Sequence, residues 1–314
     1  MNLEDCLPPD LRGASTTITP LAGGLSGAGV YRVEADGRVF ALKIWDPGAP
    51  LAGWRRALHV QRLAADAALA PRIVHVDEDR RAVLSDFVGG PPFPALYGDP
   101  RTRGEALARL GRTLRRVHAL PVPPDAVEAN PRELLASLWS GLPESFAVPP
   151  FVGDVVRRVL AEEAPPREEP PVLSHNDVNP GNLLVDGESL LLVDWEHAGL
   201  NDRFYDLAAI SVFLNMDGES CRTLLSAYHG EPVSTIPARF VHNRRVMAAL
   251  AGVAFLRLAR DSGHPGAAGR ETLDATLSLG EFFHQRMRTG GLGLATAEGQ
   301  WGYGLALVKE SAAY

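Results

Sequence analysis

The first part of the chain consists of short apolar runs separated by glycine, proline and charged residues. Such runs, rich in β-branched residues and bounded by turn residues, predict β-strands. They lie at about residues 16–21, 30–33, 39–43, 73–76 and 82–84. Two of them flank Asp36-Gly37, a dipeptide typical of a two-residue hairpin loop. The pattern predicts a small β-rich part, with one helix at about residues 52–68.

Apolar residues in the rest of the chain mostly recur every three to four positions, which is the period of a helix. In residues 103–120, for example, Leu107, Leu110 and Leu114 share one face, and Pro121 ends the pattern. Further helices are predicted at about residues 131–139, 152–163, 203–214, 218–228, 238–261 and 270–288.

Two segments divide this pattern. The Gly-Gly-Pro-Pro run at residues 89–92 breaks regular structure and marks the boundary between two predicted domains, residues 1–88 and residues 89–314. Residues 290–299 are rich in glycine, and we expect them to leave residues 301–314 free to dock elsewhere or to fray.

A polar segment between buried-strand patterns carries the strongest chemical signal. His175, Asp177 and Asn182 lie on a loop that follows one apolar run and precedes another, and Asp194 follows a third run. Because these positions lie at strand ends and on the connecting loop, we expect Asp177, Asn182 and Asp194 to converge on one spot.

These residue types suit phosphoryl transfer. Magnesium prefers oxygen ligands, which the amide carbonyl of Asn182 and the carboxylate of Asp194 supply. Asp177 is then left to orient an attacking hydroxyl and accept its proton, with ATP as the phosphoryl donor. The His-x-Asp-x-x-x-x-Asn spacing is that of the kinase catalytic loop, and Asp-Trp-Glu at residues 194–196 stands where protein kinases have Asp-Phe-Gly. The alternative is a pair of polar loops whose carboxylates only cap turns.

A glycine-rich segment at residues 23–29 separates the first two predicted strands. The backbone N–H groups of Gly23 and Gly24 and the hydroxyl of Ser26 are candidates for binding phosphate, because glycine lets the backbone approach a ligand closely. Taken alone, the glycines are weak evidence and fit a flexible turn. Followed by Lys43 on a later strand, they match the kinase order of glycine loop and lysine. Lys43 would neutralise the α- and β-phosphates, unless it faces solvent from its strand.

The usual partner of such a lysine is missing from the predicted helix. Kinase-like domains pair the lysine with a glutamate on the next helix, but no glutamate occurs between Gly48 and Asp77. Asp66 lies too near the helix end. His59 and Gln61 are the candidates for holding Lys43, and the remaining possibility is that the phosphates hold it alone.

With these motifs identified, the chain resembles the aminoglycoside phosphotransferase and choline kinase family, and especially its choline kinase-like and thiamine kinase-like branches. The matching segments are residues 175–183, 193–199 and 205–208, with looser matches over about 16–290. The resemblance implies an α+β, two-lobed, protein-kinase-like fold, in which a small antiparallel β N-lobe binds nucleotide and a larger, mainly helical C-lobe carries catalysis and the acceptor. It also implies Mg²⁺- and ATP-dependent phosphorylation of a small-molecule hydroxyl.

The resemblance assigns roles to several further residues. It implies that backbone groups from Asp86 to Val88 meet the adenine edge, and that Asp206 braces the catalytic loop. His175 is expected to pack and set that loop, because proton transfer is already assigned to Asp177. Glu196 is expected to point away from Trp195 along a strand, towards either the acceptor pocket or solvent.

Composition limits the partners. A net charge of −7 and the lack of a Lys/Arg block argue against nucleic acid. The longest apolar stretch, residues 246–256, is too short to span a bilayer, and the acidic N-terminus does not resemble a signal peptide. With Cys6 and Cys221 as its only cysteines, the chain fits a reducing compartment. We therefore expect a cytoplasmic protein that acts on a small molecule and not at a membrane.

The identity of the acceptor is less defined. The acidic residues between Glu196 and Glu231 favour a small cationic acceptor such as choline, ethanolamine, thiamine or an aminoglycoside, although such runs are often only a solvated face. A quaternary ammonium needs aromatic faces. The late helix that carries tryptophans in choline kinases has only Phe255 here. The aromatic residues that could substitute are Tyr205, Phe213, Tyr228 and Trp301.

Two rival functions are weighed against this one. A protein Ser/Thr kinase-like enzyme is opposed by the lack of Ala-Pro-Glu and of an activation segment after Asp194. A catalytically silent nucleotide-binding regulatory module is supported by the missing helix glutamate and opposed by the intact Asp177, Asn182 and Asp194.

Overall fold

The structure is a computed structural model that describes residues 2–13, 15–21, 29–289 and 293–314. The chain forms two compact units. Unit 1 comprises residues 1–127, 173–200 and 227–230, and unit 2 comprises residues 128–172, 201–226 and 231–314. The boundary predicted after Val88 falls inside unit 1.

Unit 1 contains a five-stranded antiparallel sheet with the order β1-β2-β3-β5-β4. Its strands are β1 (Thr17–Pro20), β2 (Gly29–Ala35), β3 (Arg38–Ile44), β4 (Ile73–Asp77) and β5 (Ala82–Asp86). The predicted hairpin joins β2 and β3: Asp36 and Gly37 have φ angles of 50° and 71°, as a two-residue turn with positive φ at both central positions requires. The small antiparallel sheet predicted from the sequence is confirmed.

The alternation of β3 places Lys43 on the face opposite the sheet core. Phe40, Leu42 and Ile44 are buried and Lys43 is half-buried, because successive side chains of a strand point to opposite faces. The helix α1 (Leu51–Asp66) packs through Trp54 against a second apolar cluster that includes Val83.

Unit 1 also holds the predicted catalytic segment. This part contains helices α2 (Phe93–Gly98) and α3 (Arg103–His118), the β7–β8 hairpin (Leu183–Asp186 and Ser189–Leu192) and most of the short paired strands β6 (Val172–Ser174) and β9 (Gly199–Asn201). Gly90 lies against β7: a Cβ at this position would lie 1.8 Å from the carbonyl oxygen of Val185. The segment after β5 needs glycine there because two backbones come together.

Unit 2 is helical. Its helices are α4 (Pro131–Ser140), α5 (Pro150–Ala161), α6 (Arg203–Phe213), most of α7 (Gly218–His229), α8 (Ala238–Asp261), α9 (Leu279–Thr289) and α10 (Ala297–Ala313). The long α8 packs against α4, α5, α6 and α10. Buried residues of α8 such as Val246 and Ala248 belong to two apolar clusters. The predicted division into a small sheet and a larger helical part is confirmed.

In unit 2, one sequence prediction needs correction, and one pair of alternatives, docking or fraying of the final residues, is decided in favour of docking. The helix expected at 270–288 begins only at Leu279, because Ser278 and Glu281 form a reciprocal cap: Ser278 N–H donates to the Glu281 carboxylate at 2.7 Å, and Glu281 N–H donates to the Ser278 hydroxyl at 3.3 Å. The final residues do not fray. They form α10, which docks on α8 with Trp301 and Val308 buried, and Gly252 and Gly304 allow the close approach.

Candidate active site

The catalytic loop holds the carboxylate of Asp177 from both sides. Asn182 Nδ2 donates to Asp177 Oδ2 at 2.8 Å and to the Asp177 carbonyl at 2.9 Å. Asn179 Nδ2 donates to the other carboxylate oxygen at 3.1 Å, while Asn179 Oδ1 caps the short 3-10 turn by accepting from Gly181 N–H at 2.9 Å. Asn179 was not among the residues predicted from the sequence. Its position between the two motif residues, in Asn-Pro-Gly, was the available signal.

His175 is fully buried and sets this loop through both ring nitrogens. Its Nε2 lies 2.9 Å from the Val193 carbonyl, and its Nδ1 accepts from Asp177 N–H at 3.3 Å. A nitrogen facing a carbonyl must carry the proton and one accepting from an amide must not, so these contacts specify the neutral Nε2–H tautomer. The His175 ring also packs against Trp195 at 4.6 Å between centroids.

Backbone contacts connect the catalytic loop to the segment around Asp194. Val193 N–H donates to the Asn182 carbonyl at 3.1 Å, and the side chain of Asn176 donates to the His197 carbonyl at 2.9 Å. Asp194 itself has φ 69° and ψ 63°, a left-handed conformation that is uncommon for a residue other than glycine. Such backbone strain is often found at functional sites.

Lys43 lies between two acidic side chains of this segment. Its Nζ donates a hydrogen bond to Asp194 Oδ1 at 2.8 Å and lies 2.5 Å from Glu196 Oε1. The second contact is an ion pair without hydrogen-bond geometry. The nucleotide lysine predicted in the sheet and the metal ligand predicted after β8 are thus in direct contact.

The position of Glu196 differs from the one expected from the sequence. Residues 195–197 form a 3-10 turn and not the continued strand that was expected, because the left-handed Asp194 redirects the chain. The Glu196 side chain is directed at Lys43. The acceptor-binding role of Glu196 stays a prediction, and the structure shows a different contact for it. His59, one of the two helix candidates for the lysine partner, is exposed.

The predicted adenine segment continues the sheet. Asp86 N–H donates to the Arg72 carbonyl at 3.0 Å, and Phe87 N–H donates to the Val39 carbonyl at 3.3 Å. The carboxylate of Asp86 pairs with the Arg72 guanidinium at 2.9 Å. These contacts fix the segment, and adenine binding at Asp86 and Val88 stays a prediction.

The roles of four other predicted residues are not tested by the structure. Gly23, Gly24 and Ser26 fall outside the described residues. Asp206 is fully buried in the first turn of α6, in unit 2. Its bracing role stays a prediction.

The donor set of Asn182 and Asp194 suits magnesium. Because Asn182 uses its amide nitrogen to hold Asp177, its amide oxygen is the atom left for a cation. With the carboxylate of Asp194 this gives two hard oxygen donors from the chain, the type that Mg²⁺ takes when phosphates and water complete its shell. Among the described residues, there is no group of three or more His, Cys, Asp and Glu side chains that could hold a metal ion.

Comparison with known proteins decides the family. The sequence profile of the "Phosphotransferase enzyme family" matches residues 17–237, which include the lysine strand, the catalytic loop and the Asp-Trp-Glu turn. The chain belongs to this family. The phosphotransferase is 30% identical over 206 residues to thiamine kinase of Salmonella paratyphi C, a match of 65% of this chain and 68% of that protein. The expectation of an enzyme, a kinase of small molecules, is confirmed.

Solved structures show the same fold for the phosphotransferase. A choline/ethanolamine kinase family protein from Mesorhizobium loti matches with a TM-score of 0.63 at 23% identity, covering 96% of this chain and 95% of that one. Choline kinase LicA from Streptococcus pneumoniae matches with a TM-score of 0.63 at 16% identity, covering 95% and 94%. The predicted protein-kinase-like fold is confirmed.

The match to another relative covers only a short part of both chains. The phosphotransferase matches protein LicA of Haemophilus influenzae at 39% identity over 54 residues, 17% of this chain and about a fifth (20%) of that protein.

In the described part of the phosphotransferase, no helix is long and apolar enough to cross a bilayer.

Proposed function

We propose that this phosphotransferase transfers the γ-phosphoryl group of Mg²⁺-ATP to the hydroxyl of a small cationic molecule. The observation that carries the proposal is the 2.8 Å contact between Lys43 and Asp194. It brings the candidate phosphate-binding lysine to the candidate metal ligand, across 151 positions of sequence and within one compact unit. Both residues act on the same phosphate groups in kinase chemistry.

Each residue has a defined part in the proposed reaction. Asp177, held by Asn179 and Asn182, orients the acceptor hydroxyl and takes its proton. The acceptor oxygen forms a bond to the γ-phosphorus as the bond from that phosphorus to the β-bridging oxygen breaks, and ADP leaves. Asn182 and Asp194 would hold Mg²⁺, which would neutralise charge on the phosphates. Lys43 adds positive charge for the nucleotide.

The cationic class of acceptor rests on the relatives. Thiamine and choline, named in those relatives, carry a permanent positive charge, and ethanolamine carries a protonated amine. The acidic stretch between Glu196 and Glu231 supports the class less than expected. Glu196 pairs with Lys43, and Asp202 pairs with Arg239 and lies 3.8 Å from Arg167. These carboxylates are largely neutralised by neighbours within their own units.

Three of the four candidate aromatic residues are buried in the protein interior. Tyr205, Tyr228 and Trp301 are each no more than 5% exposed. Tyr228 contacts His118 Nδ1 through its hydroxyl at 2.8 Å, and Trp301 stacks on His264. A cage for a quaternary ammonium built from these three side chains is therefore not supported, which favours a protonated amine, which can donate hydrogen bonds, over choline.

A silent regulatory module loses its main support. That alternative rested on a lysine without an acidic partner, and Lys43 has two. A cytoplasmic location, where ATP is available, remains part of the proposal.

The experiment is an acceptor screen. ADP release with Mg²⁺-ATP would be measured against thiamine, ethanolamine, choline, aminoglycosides and simple sugars, with Asp177→Ala as the blank. We expect at least one cationic acceptor to raise turnover well above the blank. Turnover with neutral sugars alone would contradict the acceptor class, and equal rates for wild type and blank with every acceptor would contradict the transfer reaction.

A further inference from the structure

We propose that Glu196 is the carboxylate that positions Lys43 for the nucleotide, the part that a glutamate of the next helix plays in kinase-like domains. This inference rests on the proposed function, since it concerns how the same site holds ATP. Glu196 would be a positioning residue, because it acts on the phosphates only through Lys43.

The contact itself is close and shielded. Lys43 Nζ lies 2.5 Å from Glu196 Oε1, and both side chains are 21% exposed. The Glu196 Oε1 atom is buried and accepts no hydrogen bond, so the ammonium group is what compensates its charge. A carboxylate oxygen removed from water without a hydrogen-bond donor is costly unless a positive charge lies beside it.

Among the described residues, the ion-pair and hydrogen-bond partners of Lys43 are Asp194 and Glu196, and neither Gln61 nor any other residue of α1 is one of them. The one acidic residue of α1, Asp66, is exposed at the C-terminal end, and His59 is exposed as well. Instead, α1 packs against the 3-10 turn at residues 195–197. This turn, and not α1, brings a carboxylate into contact with Lys43.

The turn that carries Glu196 is fixed on both sides. Trp195 is buried, donates through Nε1 to the Leu192 carbonyl at 3.1 Å and packs on His175. On the other side, the His197 carbonyl accepts from the side chain of Asn176. Glu196 is therefore held by the same residues that set the catalytic loop, and its ion pair couples Lys43 to that loop.

The two carboxylates that contact Lys43 have different roles in the proposed site. Asp194 is the proposed ligand of Mg²⁺. A bound Mg²⁺ would therefore compete with Lys43 for the carboxylate of Asp194. Glu196 is not one of the proposed ligands of Mg²⁺. The ion pair between Lys43 and Glu196 can therefore persist when Mg²⁺-ATP is bound. In that state Glu196 would keep the Lys43 ammonium group directed at the phosphates.

The first test is Glu196→Gln, which keeps the size of the side chain and removes its charge. We expect the Kd and KM for Mg²⁺-ATP to rise roughly tenfold, the difference expected on losing a charged partner, with the KM for the acceptor unchanged. Asp66→Asn, which removes the exposed acid of α1, is the matched control and should leave all constants unchanged. Unchanged ATP affinity in Glu196→Gln would overturn the inference. A rise in the acceptor KM alone would overturn it too and would assign Glu196 to acceptor binding.

The second test needs no acceptor and is independent of turnover. The chain has two lysines, Lys43 and Lys309, so protein labelled with ¹⁵N-lysine gives two side-chain Nζ signals. We expect Glu196→Gln to shift the Lys43 signal and leave that of Lys309 in place, and Asp66→Asn to move neither. An unmoved Lys43 signal would refute the ion pair. A shift of Lys43 together with a failed acceptor screen would support the pair and reject only the proposed reaction.

Discussion

Asn182 donates a hydrogen bond from its side-chain nitrogen to Oδ2 of Asp177, at 2.8 Å. The candidate metal ligand and the candidate base are therefore not independent, because one amide group serves both. Its nitrogen fixes the carboxylate that we propose receives the proton, and its oxygen is left for the proposed cation. Asn179 holds the second oxygen of the same carboxylate at 3.1 Å.

Asn179→Ala should lower kcat roughly ten- to a hundredfold and leave the Kd for Mg²⁺-ATP unchanged. The substitution releases one side of the Asp177 carboxylate, and small misplacements of a catalytic group cost this much. Steady-state kinetics with the acceptor and calorimetry with ATP give the two values. Asn2→Ala is the control, since Asn2 also caps a 3-10 turn in unit 1 through its side-chain oxygen. An equal fall in both variants would mean that the loss comes from the cap alone.

Lys43→Ala should raise the KM for ATP by about tenfold or more, because the variant loses a positive charge at the phosphates. The other lysine provides the control: Lys309 donates to the Thr276 carbonyl at 2.6 Å in unit 2, and Lys309→Ala should leave the ATP KM as it is. The initial rate is measured against ATP at saturating acceptor. If Lys43→Ala changed the acceptor KM and not that of ATP, the nucleotide role of Lys43 would be wrong.

Gly90→Ala should destabilise the protein by about 1–3 kcal/mol, the usual cost of forcing extra atoms into a packed site. The added Cβ would lie 1.8 Å from the Val185 carbonyl oxygen, so the segment after β5 must move away from β7. Gly104→Ala on α3 is the matched control, with no atom within 4 Å of its Cβ, and should raise stability slightly. Thermal unfolding midpoints compare the two. Equal midpoints would contradict the close packing of these backbones.

The parts of the site that the sequence predicted are those whose partners lie close along the chain. His175, Asp177 and Asn182 lie on one short loop, and fixed spacing between buried strands is enough to bring them together. The hairpin at Asp36-Gly37 was predictable for the same reason, because local turn chemistry determines it. The start of α9 was predicted wrongly, and the capping pair Ser278 and Glu281 was the local signal available for it.

The partner of Lys43 was not predictable in this way. Kinase-like domains carry this partner on the next helix, here α1. Glu196 instead lies 153 positions away in the sequence and reaches Lys43 because Asp194 adopts a left-handed conformation. An aspartate gives no sequence signal for positive φ comparable to that of glycine. The docking of α10 was one of the two alternatives that the sequence left open, because the apolar face that binds α8 is visible only once both helices are in place.

The central claim is that Asp177 acts on the acceptor and not on the nucleotide. Asp177→Asn tests it most directly, because the side chain keeps its size and loses its ability to accept a proton. The measurement is calorimetric binding of Mg²⁺-ATP beside acceptor-dependent ADP release, for wild type and variant. We predict an unchanged Kd with turnover reduced by about 10²–10⁴-fold. Lost nucleotide binding, or turnover close to that of wild type, would contradict the account.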